Sequence, residues 1–74
     1  MLELTEEQLL RRGFKRNEWT DEGETFVEYV KQLKNAVKIE ISGLTLIELI
    51  IEDAYETVNI DSLNELDLLI KMFE

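Results

Sequence analysis

The 74-residue chain has no cysteine, no histidine and no proline, and only three glycines. Without cysteine there are no disulfides, no thiol chemistry and none of the usual zinc sets. Without histidine there is no imidazole to serve as general base or as a switch near neutral pH. The missing cysteine is consistent with a reducing cytoplasm. No apolar run approaches the ~18–20 residues of a membrane-spanning helix. The opening MLELTEEQLL is acidic and polar, unlike a secretory signal. With 45% hydrophobic residues and no proline, the composition is that of a folded chain. Its length fits one domain (1–74) with a small core, of the order of ~3–5 kcal/mol net.

The most apolar and most β-branched stretch is 36–51, AVKIEISGLTLIELII. Val37, Ile39 and Ile41 alternate with Lys38, Glu40 and Ser42, the period of a half-buried strand. Gly43 breaks the run and marks a turn or bulge. Residues 44–51 admit two readings. As a strand, Ile47, Leu49 and Ile51 line one face, with Leu46, Glu48 and Ile50 on the other. As a helix, Ile47, Ile50, Ile51, Ala54, Tyr55 and Val58 form a stripe, with Thr45 and Glu48 as a capping box. The isoleucine content favours the strand, because a side chain stiff at χ1 packs well on a pleated surface.

Before this stretch, residues 4–14 read as a short helix. Thr5 is the N-cap, Gln8 closes a capping box, and Leu4 and Leu9 form a hydrophobic staple. Glu6 and Glu7 complement the positive end of the dipole, Arg11 and Arg12 the negative end. Gly13 suits the left-handed residue that stops the helix, after which Phe14 folds back on Leu9. Residues 15–20 read as a short strand or an extended lead-in, and 21–24 as a glycine-centred turn. Residues 25–33, rich in threonine, valine and aromatics, read as the second arm of a hairpin. After the central stretch, 52–54 form a polar break and 55–60 a closing strand. Ser62 and Glu65 cap a last helix whose apolar stripe is Leu63, Leu66, Leu69, Ile70 and Phe73, widened by Leu68 and Met72.

These elements predict an α+β fold, α-β-β-β-β-α. A small antiparallel sheet of about four strands is flanked by an N-terminal and a C-terminal helix, most simply on one face. The alternative is a mostly helical chain with 24–35 and 45–58 as helices.

Seventeen acids face eight bases, a net charge of −9. Residues 1–38 hold eight acids and seven bases; residues 39–74 hold nine acids and one base, Lys71. Such a surface attracts basic protein surfaces and repels nucleic acid and anionic membranes. Equally, it serves simply to keep a small domain soluble. Arg11, Arg12, Lys15, Arg16 and Trp19 form a local basic-aromatic cluster that could track a phosphate backbone. The structural reading is preferred: arginines complementing a helix C-terminus and a core tryptophan.

The segments LTEEQLLRRGFK (4–15) and SLNELDLLIKMF (62–73) resemble the first and last helices of short phage and prophage proteins of the Bacteroidetes type. The resemblance implies a mobile-element origin and the same order of helices around a sheet. It assigns no functional residue.

No carboxylate pair is accompanied by a nucleophile or an oxyanion motif, so Glu40 and Glu48, on one sheet face, read as solvated. Asp21-Glu22-Gly23-Glu24 and Glu52-Asp53 lack the spacing or the glycine of a calcium loop. No metal, cofactor or catalytic residue is expected. The expectation is a non-enzymatic cytoplasmic protein that blocks a basic surface of a nucleic-acid-handling protein. It would act as a nucleic-acid mimic, in the manner of phage-encoded inhibitors such as anti-CRISPR proteins. Glu40, Glu48, Glu52, Asp53 and Glu56 would supply the carboxylate array, and Leu46 and Ile50 an apolar anchor. The alternative is a structural or assembly module that self-associates, as a homodimer for instance, through the sheet edge or the Leu46/Ile50 face.

Overall fold

A computed structural model describes residues 3–74. The elements run α1 (Glu6–Arg11), β1 (Lys15–Asp21), β2 (Glu24–Gln32), β3 (Val37–Ser42), β4 (Leu46–Ile51), β5 (Ala54–Thr57) and α2 (Leu63–Met72). The five strands form one antiparallel meander in the order β1-β2-β3-β4-β5. The fold is therefore α+β. The mostly helical alternative does not form, since both ambiguous stretches pair in register as β2 and β4. The sheet has five strands where about four were expected: residues 15–20 form a full strand, β1, and the closing strand expected at 55–60 is Ala54–Thr57.

Register follows from the apolar alternation. Ile39 pairs with Leu49, Ile41 with Ile47 and Tyr29 with Ile41, so the face of β2–β4 that they share is largely apolar, with Lys31 of β2, opposite Ile39, as its charged exception. That inner face carries both helices. Leu9 of α1 and Leu66 and Ile70 of α2 share a single buried cluster with Tyr29, Val37, Ile39, Ile41, Ile47 and Leu49. A one-residue slip would turn every one of these sheet side chains outward, which is why the pairing is well determined.

The helix ends use the expected chemistry, with two differences. At α1 the capping box is complete: Gln8 N–H donates to Thr5 Oγ1 (3.2 Å) and Thr5 N–H donates to Gln8 Oε1 (3.0 Å). The helix stops at Arg11, and Gly13 takes a left-handed φ of 87°. At α2, Glu65 N–H donates to Ser62 Oγ (3.2 Å), but the Glu65 carboxylate accepts from Asp61 N–H (2.9 Å) instead of closing the box on Ser62. Leu68 and Met72 do not widen the buried stripe; both are exposed, whereas Leu66 and Ile70 are buried and Leu63, Leu69 and Phe73 pack partly buried against the core.

Two hairpins turn on two residues with positive φ, the backbone twist that suits a two-residue loop. Glu22-Gly23 (50° and 81°) joins β1 to β2, and Glu52-Asp53 (49° and 71°) joins β4 to β5. The 43–45 loop places Gly43 and Leu44 in the same region (59° and 66°), with the Leu44 side chain partly buried against the core. Among the described residues no helix is long and apolar enough to cross a membrane.

Candidate protein-binding surface

Because both helices lie on the inner face, the opposite, outer face of the sheet is uncovered. Strand alternation and register place on it Lys15, Asn17, Trp19 and Asp21 of β1, and Glu24, Phe26, Glu28, Val30 and Gln32 of β2. Lys38, Glu40 and Ser42 of β3, Leu46, Glu48 and Ile50 of β4, and Tyr55 and Thr57 of β5 complete it. Five carboxylates thus share the face with two lysines.

Glu40 and Glu48 sit directly opposite each other on β3 and β4. Like charges in that relation repel. Lys38 Nζ, 3.3 Å from Glu40 Oε2, offsets part of the repulsion, and the Glu40 side chain is only 14% exposed. Glu48 makes no ion pair among the described residues. The arrangement is a negative centre with one internal counter-ion, and an incoming cation would relieve it.

The expected array divides in three. Glu40, Glu48, Leu46 and Ile50 share the outer face. Glu52 and Asp53 form the β4–β5 turn at its margin. Glu56, opposite Leu49, belongs to the inner face at the sheet edge, so it cannot join Glu48 in one plane. Of the two expected anchors, Leu46 is 43% exposed but Ile50 is only 2% exposed. Ile50 lies between Lys38 and Tyr55 in the cross-strand row, and these long side chains leave it no free surface. It is buried outside the main core and cannot anchor a partner.

The apolar surface that is available lies elsewhere. Trp19 and Phe26 face each other across β1 and β2, their rings stacked with centroids 5.7 Å apart and planes at 22°. They are 46% and 40% exposed, so the tryptophan expected in the core is a surface residue. The sequence held the signal: Trp19 and Phe26 are equidistant from the Glu22-Gly23 turn, which makes them cross-strand partners. With Glu24 and Glu28 also on β2 and Leu46 on β4, they give the open face an apolar element with acidic neighbours.

The basic-aromatic cluster does not survive folding as one surface. Arg11 pairs with Glu7 along α1. Arg12 forms a forked bond with Asp67, Nε to Oδ1 at 2.7 Å and Nη2 to Oδ2 at 3.1 Å, tying α1 to α2. That bond raises the guanidinium pKa and holds the Asp67 carboxyl below its ordinary value. Arg16 points to the inner face, where it pairs with Glu6 (2.8 Å) and Glu18 (2.7 Å). Glu6 also accepts a hydrogen bond from the Tyr29 hydroxyl (3.0 Å). Burial, then that bond, raises the Tyr29 pKa. Lys15 and Trp19 face the other way.

Among the described residues no group of three or more carboxylates is placed to hold a metal ion. One surface cleft, of about 300 Å³, is lined by Gly13, Lys15, Asn17, Val30, Lys31 and Gln32, with no serine, threonine or cysteine among them. Compared with models of protein families, with characterised proteins and with solved structures, the chain matches none.

Proposed function

We propose that this protein is a non-enzymatic binding protein, working in the cytoplasm, whose open sheet face occupies a basic surface of a nucleic-acid-handling protein. The observation that carries this reading is the composition of the outer face. A sheet face left to solvent needs no stacked aromatic pair. This one holds Trp19, Phe26 and Leu46 exposed among five carboxylates and only two lysines. Carboxylates on a rigid sheet, spaced about 5 Å between strands, are preorganised to replace phosphates in a cationic groove. The exposed apolar side chains supply contact area that charge alone does not. The resemblance of 4–15 and 62–73 to phage proteins supports a mobile-element origin, and with it a use against a host protein.

The test is capture from nuclease-treated host lysate, followed by an oligonucleotide-binding assay on the captured protein. A basic partner that leaves in raised salt, and whose oligonucleotide binding is lost when this chain is added, supports the reading. Reversal of Glu24, Glu28 and Glu48 to lysine should abolish capture while the far-ultraviolet circular dichroism is unchanged. Capture that survives the triple reversal, or a partner that binds oligonucleotide and this chain together, would overturn it. Self-association by stacking outer face on outer face is opposed by the like charge of the two faces.

A further inference from the structure

We infer that two copies of this chain pair through the free edge of β1, antiparallel and about a two-fold axis at Asn17, to make one ten-stranded sheet. This does not depend on the partner proposed above. β1 ends the sheet order and, among the described residues, pairs only with β2. All seven of its residues are exposed. Its register with β2 runs unbroken from Lys15–Val30 to Asp21–Glu24, so no bulge interrupts it, and the chain has no proline. An edge strand of this length presents a row of unpaired backbone donors and acceptors, a template for another strand. The other edge, β5, has only four residues.

The side chains of β1 select the occupant. In an antiparallel pair about a two-fold axis at Asn17, Arg16 of each copy lies opposite Glu18 of the other. Lys15 of each lies opposite the other copy's Trp19. The Arg16–Glu18 pairs form on the inner side, where each copy already sets the two residues together at 2.7 Å. Four alternating charges result. On the outer side Trp19 has Phe26 as its neighbour on β2 and its other flank toward the open edge, where the ammonium of the opposing Lys15 can sit against the indole. Neighbouring registers lack this match: an axis at Glu18 sets Glu18 against itself, and an axis at Arg16 sets Arg16 against itself. The sequence Lys-Arg-Asn-Glu-Trp is thus complementary to its own reverse, as an isologous interface requires.

Sedimentation equilibrium from about 10 µM to about 1 mM, the range expected of a small edge interface, tests it. The wild-type chain should be a monomer–dimer mixture. Arg16→Glu and Glu18→Arg should each weaken dimerisation by roughly tenfold or more, since each reversal creates two like-charge contacts. Mixing the two variants should restore a heterodimer, because one chain then carries acids at both positions and the other carries arginines at both, so every pair across the axis is again of opposite sign. Arg16→Glu also faces Glu6, so a second measurement stands apart from its folding. The chain has no cysteine, and Asn17→Cys should cross-link to its own copy under mild oxidation whereas Thr57→Cys on β5 should not. A wild-type chain that stays monomeric throughout the range would overturn the inference. So would a dimer indifferent to both reversals, growth into larger species, or equal cross-linking at positions 17 and 57.

Discussion

Four side chains show how position in the fold, and not residue type, sets the cost of a change. Tyr29 is buried in the core yet spends its hydroxyl on the exposed Glu6 carboxylate. Tyr29→Phe keeps the packing and removes one charge-assisted hydrogen bond, so urea unfolding should show a loss of about 1 kcal/mol. Ile50 and Leu46 share one face of β4, but only Ile50 is buried. Ile50→Ala should cost roughly 2–4 kcal/mol, a core-like value, and Leu46→Ala under about 1 kcal/mol; equal costs would mean that the row of Lys38, Ile50 and Tyr55 does not cover Ile50. Asp67 has a pH dependence of its own. Its pKa is depressed by the Arg12 bond, so its contribution is present above the unfolded carboxylate value of about 4 and is lost as pH falls through the lower folded value. The carboxylate is half exposed, which holds the contribution to about 0.2–1 kcal/mol. Asp67→Asn should therefore be less stable than the wild type at pH 7, with the gap closing toward pH 2 in parallel urea titrations.

The elements are local devices, and the turns are the ones with room for improvement. Glu52 and Asp53 both occupy the left-handed region at the β4–β5 turn, a conformation that asparagine and glycine adopt with less strain. The double change Glu52→Asn, Asp53→Gly should raise stability by about 1 kcal/mol, measured by thermal unfolding, and it also removes two uncompensated charges. Glu22-Gly23 already has glycine at its second position, and Gly23→Ala should destabilise by a similar amount. The two strand edges differ in the same practical sense. β5 is too short to recruit a strand, whereas β1 is long, straight in register and unguarded by proline.

For the molecule as a whole, charge is the dominant variable. Of seventeen acids, five take part in ion pairs among the described residues: Glu6, Glu7, Glu18, Glu40 and Asp67. The remainder repel one another across a small body. Raising sodium chloride from about 0.1 M, where the Debye length is ~10 Å, to about 1 M, where it is ~3 Å, should therefore raise the melting temperature. A gain of about 1 kcal/mol corresponds to roughly 4–8 °C for a domain of this size. A fall with salt would mean that the five ion pairs outweigh the general repulsion.

The sequence by itself determined most of the secondary structure. Alternation in Val37–Ser42 and Leu46–Ile51 sets which side chains share a face, because the strand period is two whatever the tertiary context. Thr5, Gln8 and Gly13 delimit α1, because capping is satisfied within a few residues. That Glu40 and Glu48 share a face followed from the glycine-marked turn between them, and the fold sets them directly opposite each other. Alternation marks the apolar face as the one to be covered but says nothing about which elements cover it, nor how far. Only the tertiary structure placed both helices against Ile39 and Ile41, left Leu68 and Met72 in solvent and exposed Trp19. It also sent Glu56 to the face opposite Glu48 and sank Ile50 between Lys38 and Tyr55. Burial is a relation among elements distant in sequence, and a surface able to meet a partner is what remains once those elements have packed.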